Sequence, residues 1–299
     1  MVFDNAHQNL DIVFNETMSI KRFCALSFSL ILFCALPACS TTEVISSEPK
    51  ISHSQKEIIQ DFSEANVIYL GETHDSLADH SAQLEIIQAL YSKNSQIAIA
   101  MEMFQRPYQT VLDQYLDNKI SEEELRSLTE YDERWGFDWE YYAPILRFAK
   151  AHSLPILALN TPSEVTRKVA REGLESLTED EKRYIPPLDE IHTDNEDYRE
   201  MLREVYSQHA HGNSSGFERF FAAQVLWDET MAEAIAEFHQ SNPNYQVIVL
   251  AGQGHIVYGY GIPNRVKRRV GDLVQSSVLL NGEGWEGEET AADYIWNTQ

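Results

Sequence analysis

Val67-Ile-Tyr-Leu-Gly-Glu-Thr-His74 decides how the rest of the chain is read: four apolar residues, a glycine, then a carboxylate and an imidazole close together. A run this short and this uniformly apolar suits a strand buried on both faces, as in parallel sheets covered by helices. Three further runs end in the same manner. Ile97–Met101 gives way to Glu102-Met-Phe-Gln-Arg106, Ile156–Leu159 to Asn160-Thr-Pro162, and Val247–Ala251 to Gly252-Gln-Gly-His255, while Ser277–Leu280 makes a fifth candidate. Stretches of helical period separate these runs, so the fold class expected is α/β, a mainly parallel sheet flanked by helices. Leu77, Leu84, Ile87 and Tyr91 share one helical face, and Ser121 with Glu124 forms a capping box ahead of another helix. Helical pattern alone fills residues 163–240: Thr178 with Glu181 opens a short helix, Asp194–Ser207 reads as a second and Phe217–Phe238 as a third. A helical insertion, or lid, is expected there.

In open parallel sheets, ligands bind outside the carboxyl ends of the strands. With four strands as parallel neighbours, Glu72, His74, Glu102, Arg106, Asn160 and His255 would meet on one rim although more than 180 positions separate the first from the last. Each alone has a plainer reading, as a turn glycine's neighbour, a helix cap or a solvated loop residue. Together they repeat the spacing Gly-x-x-His after a strand, at Gly71–His74 and at Gly252–His255. Two imidazoles and two carboxylates on one rim can hold a divalent metal such as Zn or Mn and activate water, or can hydrogen-bond the carboxylates of a ligand. The residues leave both open. Gln224 and Asp228 stand one helical turn apart beside Trp227 and Met231, so their helix turns either a polar pair or an aromatic side to the sheet. His209 and His211 sit at a junction between helices and read as exposed. The chain has no Gly-x-Ser-x-Gly elbow, no phosphate-binding Gly-rich loop and no Cys-x-x-Cys-His for covalent haem attachment.

The N-terminus carries a different signal. Lys21-Arg22 precede an apolar run from Phe23 to Ala38, and Leu36-Pro-Ala-Cys39 closes it. The order is that of a secretion signal with a small-residue cleavage pattern, and residues 1–38 are read as a signal peptide. Asp4, Asp11 and Glu16 are the wrong charge for its start, which points to Met18 as the true initiator. Leu-x-Ala-Cys resembles the lipobox of bacterial lipoproteins, which implies that Cys39 becomes the lipidated first residue. Residues 39–54, rich in Ser, Thr and Glu, then form a tether, and 55–299 the α/β domain. Cleavage would remove Cys24 and Cys34, so no disulfide is expected. Ser40 after the cysteine favours the outer membrane, facing the periplasm, by resemblance to sorting rules. The whole chain has a net charge of -24, which cutting at Cys39 changes only to -23. A surface so acidic argues against nucleic acid as a partner, because phosphate contacts need Lys and Arg.

Six blocks, read in order, carry a family resemblance: Ile68-Tyr-Leu-Gly-Glu-Thr-His-Asp75, Met101-Glu-Met-Phe-Gln-Arg-Pro107, Arg134-Trp-Gly-Phe-Asp-Trp139, Ala158-Leu-Asn-Thr161, Phe221-Ala-Ala-Gln-Val-Leu-Trp-Asp-Glu-Thr-Met-Ala232 and Ala251-Gly-Gln-Gly-His-Ile-Val-Tyr-Gly-Tyr-Gly-Ile-Pro263. From Asn66 to Arg269 the chain resembles the ChaN-like haem-binding lipoproteins. The resemblance implies non-covalent haem held between two monomers, a tyrosine on the iron, and a role in haem or iron uptake. No motif aligns the tyrosine; Tyr198 is taken over Tyr184 and Tyr206 because Arg199 and Arg203 are near it. His74, Arg106, Gln224, Asp228 and His255 are taken with it as the cofactor-binding set. The same blocks resemble the wider Tiki, TraB and erythromycin-esterase superfamily, which implies an alternative: a metal-dependent hydrolase acting through Glu72, His74, Glu102 and His255.

Overall fold

The computed structural model describes residues 54–209, 214–281 and 291–298. The signal peptide, Cys39, nearly all of the tether and His211 lie outside them. The elements run α1 (Gln55–Phe62), β1 (Val67–Glu72), α2 (Leu77–Lys93), β2 (Ile97–Gln105), α3 (Gln109–Leu116), α4 (Glu122–Leu128), α5 (Tyr131–Arg134), α6 (Trp139–His152) and β3 (Ile156–Asn160). They continue with α7 (Ser163–Glu172), α8 (Glu196–His209), α9 (Ser214–Ser241), β4 (Gln246–Gly252), α10 (Ile262–Val270), β5 (Gln275–Leu280) and β6 (Tyr294–Trp296). The strands form one sheet in the order β3-β2-β4-β1-β5-β6, parallel throughout. All five expected strands are present. Four reach further than their apolar runs, so Glu72, Glu102 and Asn160 belong to strands rather than to the loops after them. Polar side chains stay in a buried strand when interior partners take them up: the Glu72 carboxylate meets His74, Tyr142 and Gln83, one oxygen of Glu102 accepts the Gly252 amide, and Asn160 donates to the Glu102 carbonyl.

The side chains of each strand alternate between two cores. Ile68, Leu70, Ile99, Met101, Ile248 and Leu250 meet helices α1 to α6 on one face. Val67, Tyr69, Ala100, Val247, Val249 and Ala251 meet α7 to α10 on the other. Both faces are therefore dry, which explains why each strand reads as an unbroken apolar run instead of an alternating one. Residues 163–240 contain no strand among those described, and their helices build this second layer. The helix expected at Thr178 is a 3-10 turn, Glu181–Tyr184, held by the Thr178 amide and hydroxyl on the Glu181 carboxylate. Helix α9 is 28 residues long and brings Gln224 and Asp228 to His255 at the end of β4.

Two expectations change. Leu77 does not join the inner face of α2; it is 63% exposed, while His80, Gln83, Ile86, Ile87 and Leu90 are buried. The first half of α2 turns its polar side inward because Glu72 receives it there. Strand β6, three residues beside β5, has no counterpart in the sequence reading, since a run this short carries no periodicity.

Candidate functional site

The strand ends bring together two imidazole–carboxylate pairs. Glu72, the last residue of β1, is fully buried; its carboxylate lies 2.9 Å from His74 Nδ1 and accepts from the Tyr142 hydroxyl at 2.5 Å and from the Gln83 amide. Burial works against its charge, but the nearby His80 and the donors His74 and Tyr142 outweigh it, so the pKa lies below the usual carboxylate value. An ionised Glu72 requires the proton of His74 on Nδ1, which turns Nε2 away from Glu72. On the far side of that ring stands Gly252: a Cβ there would come within 2.9 Å of His74 Cε1 and Nε2. Glycine is thus required for close approach of β4 to the imidazole.

The second pair is built from β2, β4 and α9. His255 Nδ1 lies 2.7 Å from Asp228 Oδ1, and its Nε2 lies 3.4 Å from Glu102 Oε1. Burial alone would lower the His255 pKa, but the charges of Glu102 and Asp228 prevail and push it up to about 10. His255 is therefore an imidazolium between two carboxylates. Glu102 Oε2 accepts the Gly252 amide at 2.8 Å, while Oε1 has no hydrogen-bond partner among the described residues. Asn160 Nδ2 donates to the Glu102 carbonyl at 3.0 Å and joins β3 to the rim. The Gln224 amide lies 3.2 Å from His255 Nδ1, and Tyr198 donates its hydroxyl to Asp228 Oδ2 at 2.8 Å.

The rim foreseen from the sequence is thus assembled from Glu72, His74, Glu102, Asn160 and His255, with Gln224, Asp228 and Tyr198 added from the helices. Arg106 is not part of it. Its guanidinium pairs with Glu233 and Glu237, further along α9, because β2 continues to Gln105 and carries Arg106 beyond the rim. Sequence reasoning missed His80, Gln83, Tyr142 and Arg265. The first two stand three residues apart on α2, a detectable spacing, but the fully buried Tyr142 had no signal beyond its position in a helix. Arg265, 3% exposed, reaches Asp228 at 3.9 Å and Glu229 at 3.4 Å.

The network is closed to solvent: His74 and His255 are each 2% exposed, and Glu72, Glu102 and Asp228 are fully buried. Among the described residues no group of three or more His, Cys, Asp or Glu is arranged to hold a metal ion. Tyr198 is also fully buried; desolvation first, and then the charge of Asp228, hold its pKa well above the usual phenol value. A phenol that donates to a carboxylate in this setting does not fit an iron-bound phenolate.

An all-parallel sheet, helices on both faces, and imidazole–carboxylate pairs at the strand ends define a class of α/β proteins whose polar centre lies across the carboxyl rim. The chain belongs to the family described as haem-binding uptake, Tiki superfamily, ChaN, whose model matches residues 58–266. Among solved structures it is similar to ChaN of Campylobacter jejuni, described as showing cofacial heme binding, with a TM-score of 0.61, 20% identity, and coverage of 76% of this chain and 86% of that one. An erythromycin esterase mutant in its open conformation aligns with a TM-score of 0.46 and 13% identity, over 75% of this chain and 72% of that one. Among curated proteins it is 27% identical over 267 residues to Protein RETICULATA-RELATED 5, chloroplastic, of Arabidopsis thaliana. That alignment takes in 82% of this chain but only 36% of the length of the plant protein.

Proposed function

We propose that the protein is a lipid-anchored envelope protein that holds haem non-covalently between two copies of itself and serves haem or iron uptake. The observation that carries this reading is the family match over residues 58–266. The N-terminal Leu36-Pro-Ala-Cys39 supports the anchor and the envelope location. Bound haem would supply a ferric iron that takes a phenolate oxygen. With Tyr198 sequestered, Tyr206 on α8 has the better setting. It is half-buried, and its ring centroid lies 5.7 Å from that of Phe217 and 5.2 Å from that of Phe220. The guanidinium of Arg203 lies over Phe217 and that of Arg199 over Phe221. Aromatic rings suit the flat macrocycle, and the two arginines, paired here with Glu218 and Glu200, would exchange those carboxylates for its propionates. The hydrolase alternative asks Glu72, His74, Glu102 and His255 to reach a substrate, and their burial argues against it.

Titration of the mature chain with hemin, followed by absorbance and sedimentation, tests the proposal. Saturable uptake with a change from monomer to dimer is expected. Tyr206→Phe should abolish the phenolate-to-iron charge-transfer band, and Tyr198→Phe should keep it. No saturable uptake by the unmodified chain would overturn the haem reading; loss of the band in Tyr198→Phe alone would overturn the choice of tyrosine.

A further inference from the structure

The two imidazoles of the rim are covered in different ways. His255 is walled by side chains of one long helix, Trp227, Gln224 and Asp228 of α9. His74 is covered by the short link between α5 and α6, the Arg134-Trp-Gly-Phe-Asp-Trp139 block to which haem binding gives no role. The Trp135 ring meets the imidazole edge-on with centroids 4.8 Å apart, and the Phe137 ring lies against it at 5.0 Å, tilted by 44°.

Those two rings are held very differently. Trp135 is buried, its amide donates to the Tyr131 carbonyl at 2.9 Å, and its ring also meets that of Tyr142. Just before it, Arg134 is latched to Glu130 at 2.7 Å and to Gln105 and Glu164 at 3.0 Å, with its guanidinium over the Tyr108 ring. Just after Phe137, Asp138 caps α6 by accepting the Glu140 amide at 3.0 Å, and the buried Trp139 donates its indole nitrogen to Glu122. Between these anchors the amides of Gly136, Phe137 and Asp138 donate to no atom among the described residues, and Phe137 is only half-buried. Segments with few backbone hydrogen bonds and little burial open at low free energy while the core around them stays folded. Gly136 supplies the pivot: it is exposed, and its φ of 84° is a conformation that glycine adopts without strain.

We infer that Gly136-Phe137 is a flap that swings on Gly136 between the fixed Trp135 and the α6 cap, and that its opening is the route by which water and small polar solutes reach His74. Behind the flap, the His74 ring packs on Gly252, where a Cβ would stand 2.9 Å from its Cε1 and Nε2 and 3.9 Å from Glu102 Oε2, so the opening leads on to the Glu102 carboxylate. Beyond its ion pair with His255, that carboxylate keeps Oε1 without a hydrogen-bond partner among the described residues, an acceptor left for an entering donor. The flap governs access to the rim and stands independently of haem binding.

Diethyl pyrocarbonate, which acylates accessible imidazole nitrogen, tests the flap on the full chain, with each histidine read by peptide mass spectrometry at rising but sub-denaturing urea. A local opening exposes little surface, so the His74 rate should stay flat as urea rises. His80 is equally buried at 2% but stacks on Tyr141 of α6, so it should react only through wider unfolding, at a rate that climbs steeply with urea. Phe137→Ala should speed acylation of His74 at least about ten-fold and leave His80 unchanged. A His74 rate as dependent on urea as that of His80 would overturn the inference. So would a Phe137→Ala chain in which His74 does not accelerate, or in which both histidines accelerate together.

Discussion

Among single residues, His255 stands between two buried carboxylates. Glu102 and Asp228 are fully buried, and the imidazolium between them is what makes their charges tolerable. Taking one partner out of a buried ionic group costs about 3–5 kcal/mol, so His255→Gln should lower the urea midpoint markedly. The pH dependence has a definite sign. The folded-state pKa is raised to about 10, above the ordinary histidine value, so the stabilisation is full below the unfolded-state pKa and disappears as pH climbs through about 10. Unfolding midpoints between pH 7 and pH 10 should therefore fall more steeply for the unmodified chain than for His255→Gln; parallel curves would contradict the clamp. Tyr198 shows how far the residue type alone can mislead. Its identity and its arginine neighbours invite an iron, but only the fold reveals that Asp228 already holds its hydroxyl. No sequence pattern reports a partner 30 positions away on another helix.

At the scale of elements, a free sheet edge has to be managed, and β3 is managed by one side chain. Gln109, at the start of α3, donates to the Ile156 carbonyl and accepts from the Ala158 amide, both at 2.8 Å. It imitates a neighbouring strand over one ladder step. Gln109→Ala leaves those two backbone groups to water, at a cost of about 1–2 kcal/mol. It should also raise the tendency to associate through β3, which light scattering near the thermal midpoint would detect; an unchanged midpoint and scattering would show that the edge needs no such cover. Helix α9 works at the same scale. Trp227 and Met231 bury on the sheet while Gln224 and Asp228 reach the rim, so the aromatic and the polar readings of this helix both hold. The capping box at Ser121 and Glu124 forms as its spacing foretold, because a local motif depends on local atoms only. The inward face of α2 departs from its apolar periodicity for the opposite reason: Glu72, on another element, receives Gln83 and draws the polar side of that helix inward.

For the molecule as a whole, no helix among the described residues is long and apolar enough to cross a membrane, and the chain is strongly acidic. Under the proposed function the membrane attachment is through Cys39. Cys39→Ser should move the protein from the membrane pellet to the soluble fraction and abolish incorporation of labelled fatty acid; retention in the pellet with unlabelled protein would sink the anchor. The parallel α/β class is legible in the order of residues, because strands dry on both faces must be written as unbroken apolar runs with polar residues at their ends. The same order also determined that Glu72, His74, Glu102, Asn160 and His255 share a rim, since parallel strands place all their carboxyl ends on one side. That this rim is sealed, that Arg106 leaves it for Glu233 and Glu237, and that Tyr198 is bound to Asp228 emerge from the folded arrangement alone. The physical reason is that burial and pairing are set by contacts between elements distant in sequence, whereas periodicity and spacing record only what each element needs from its own neighbours.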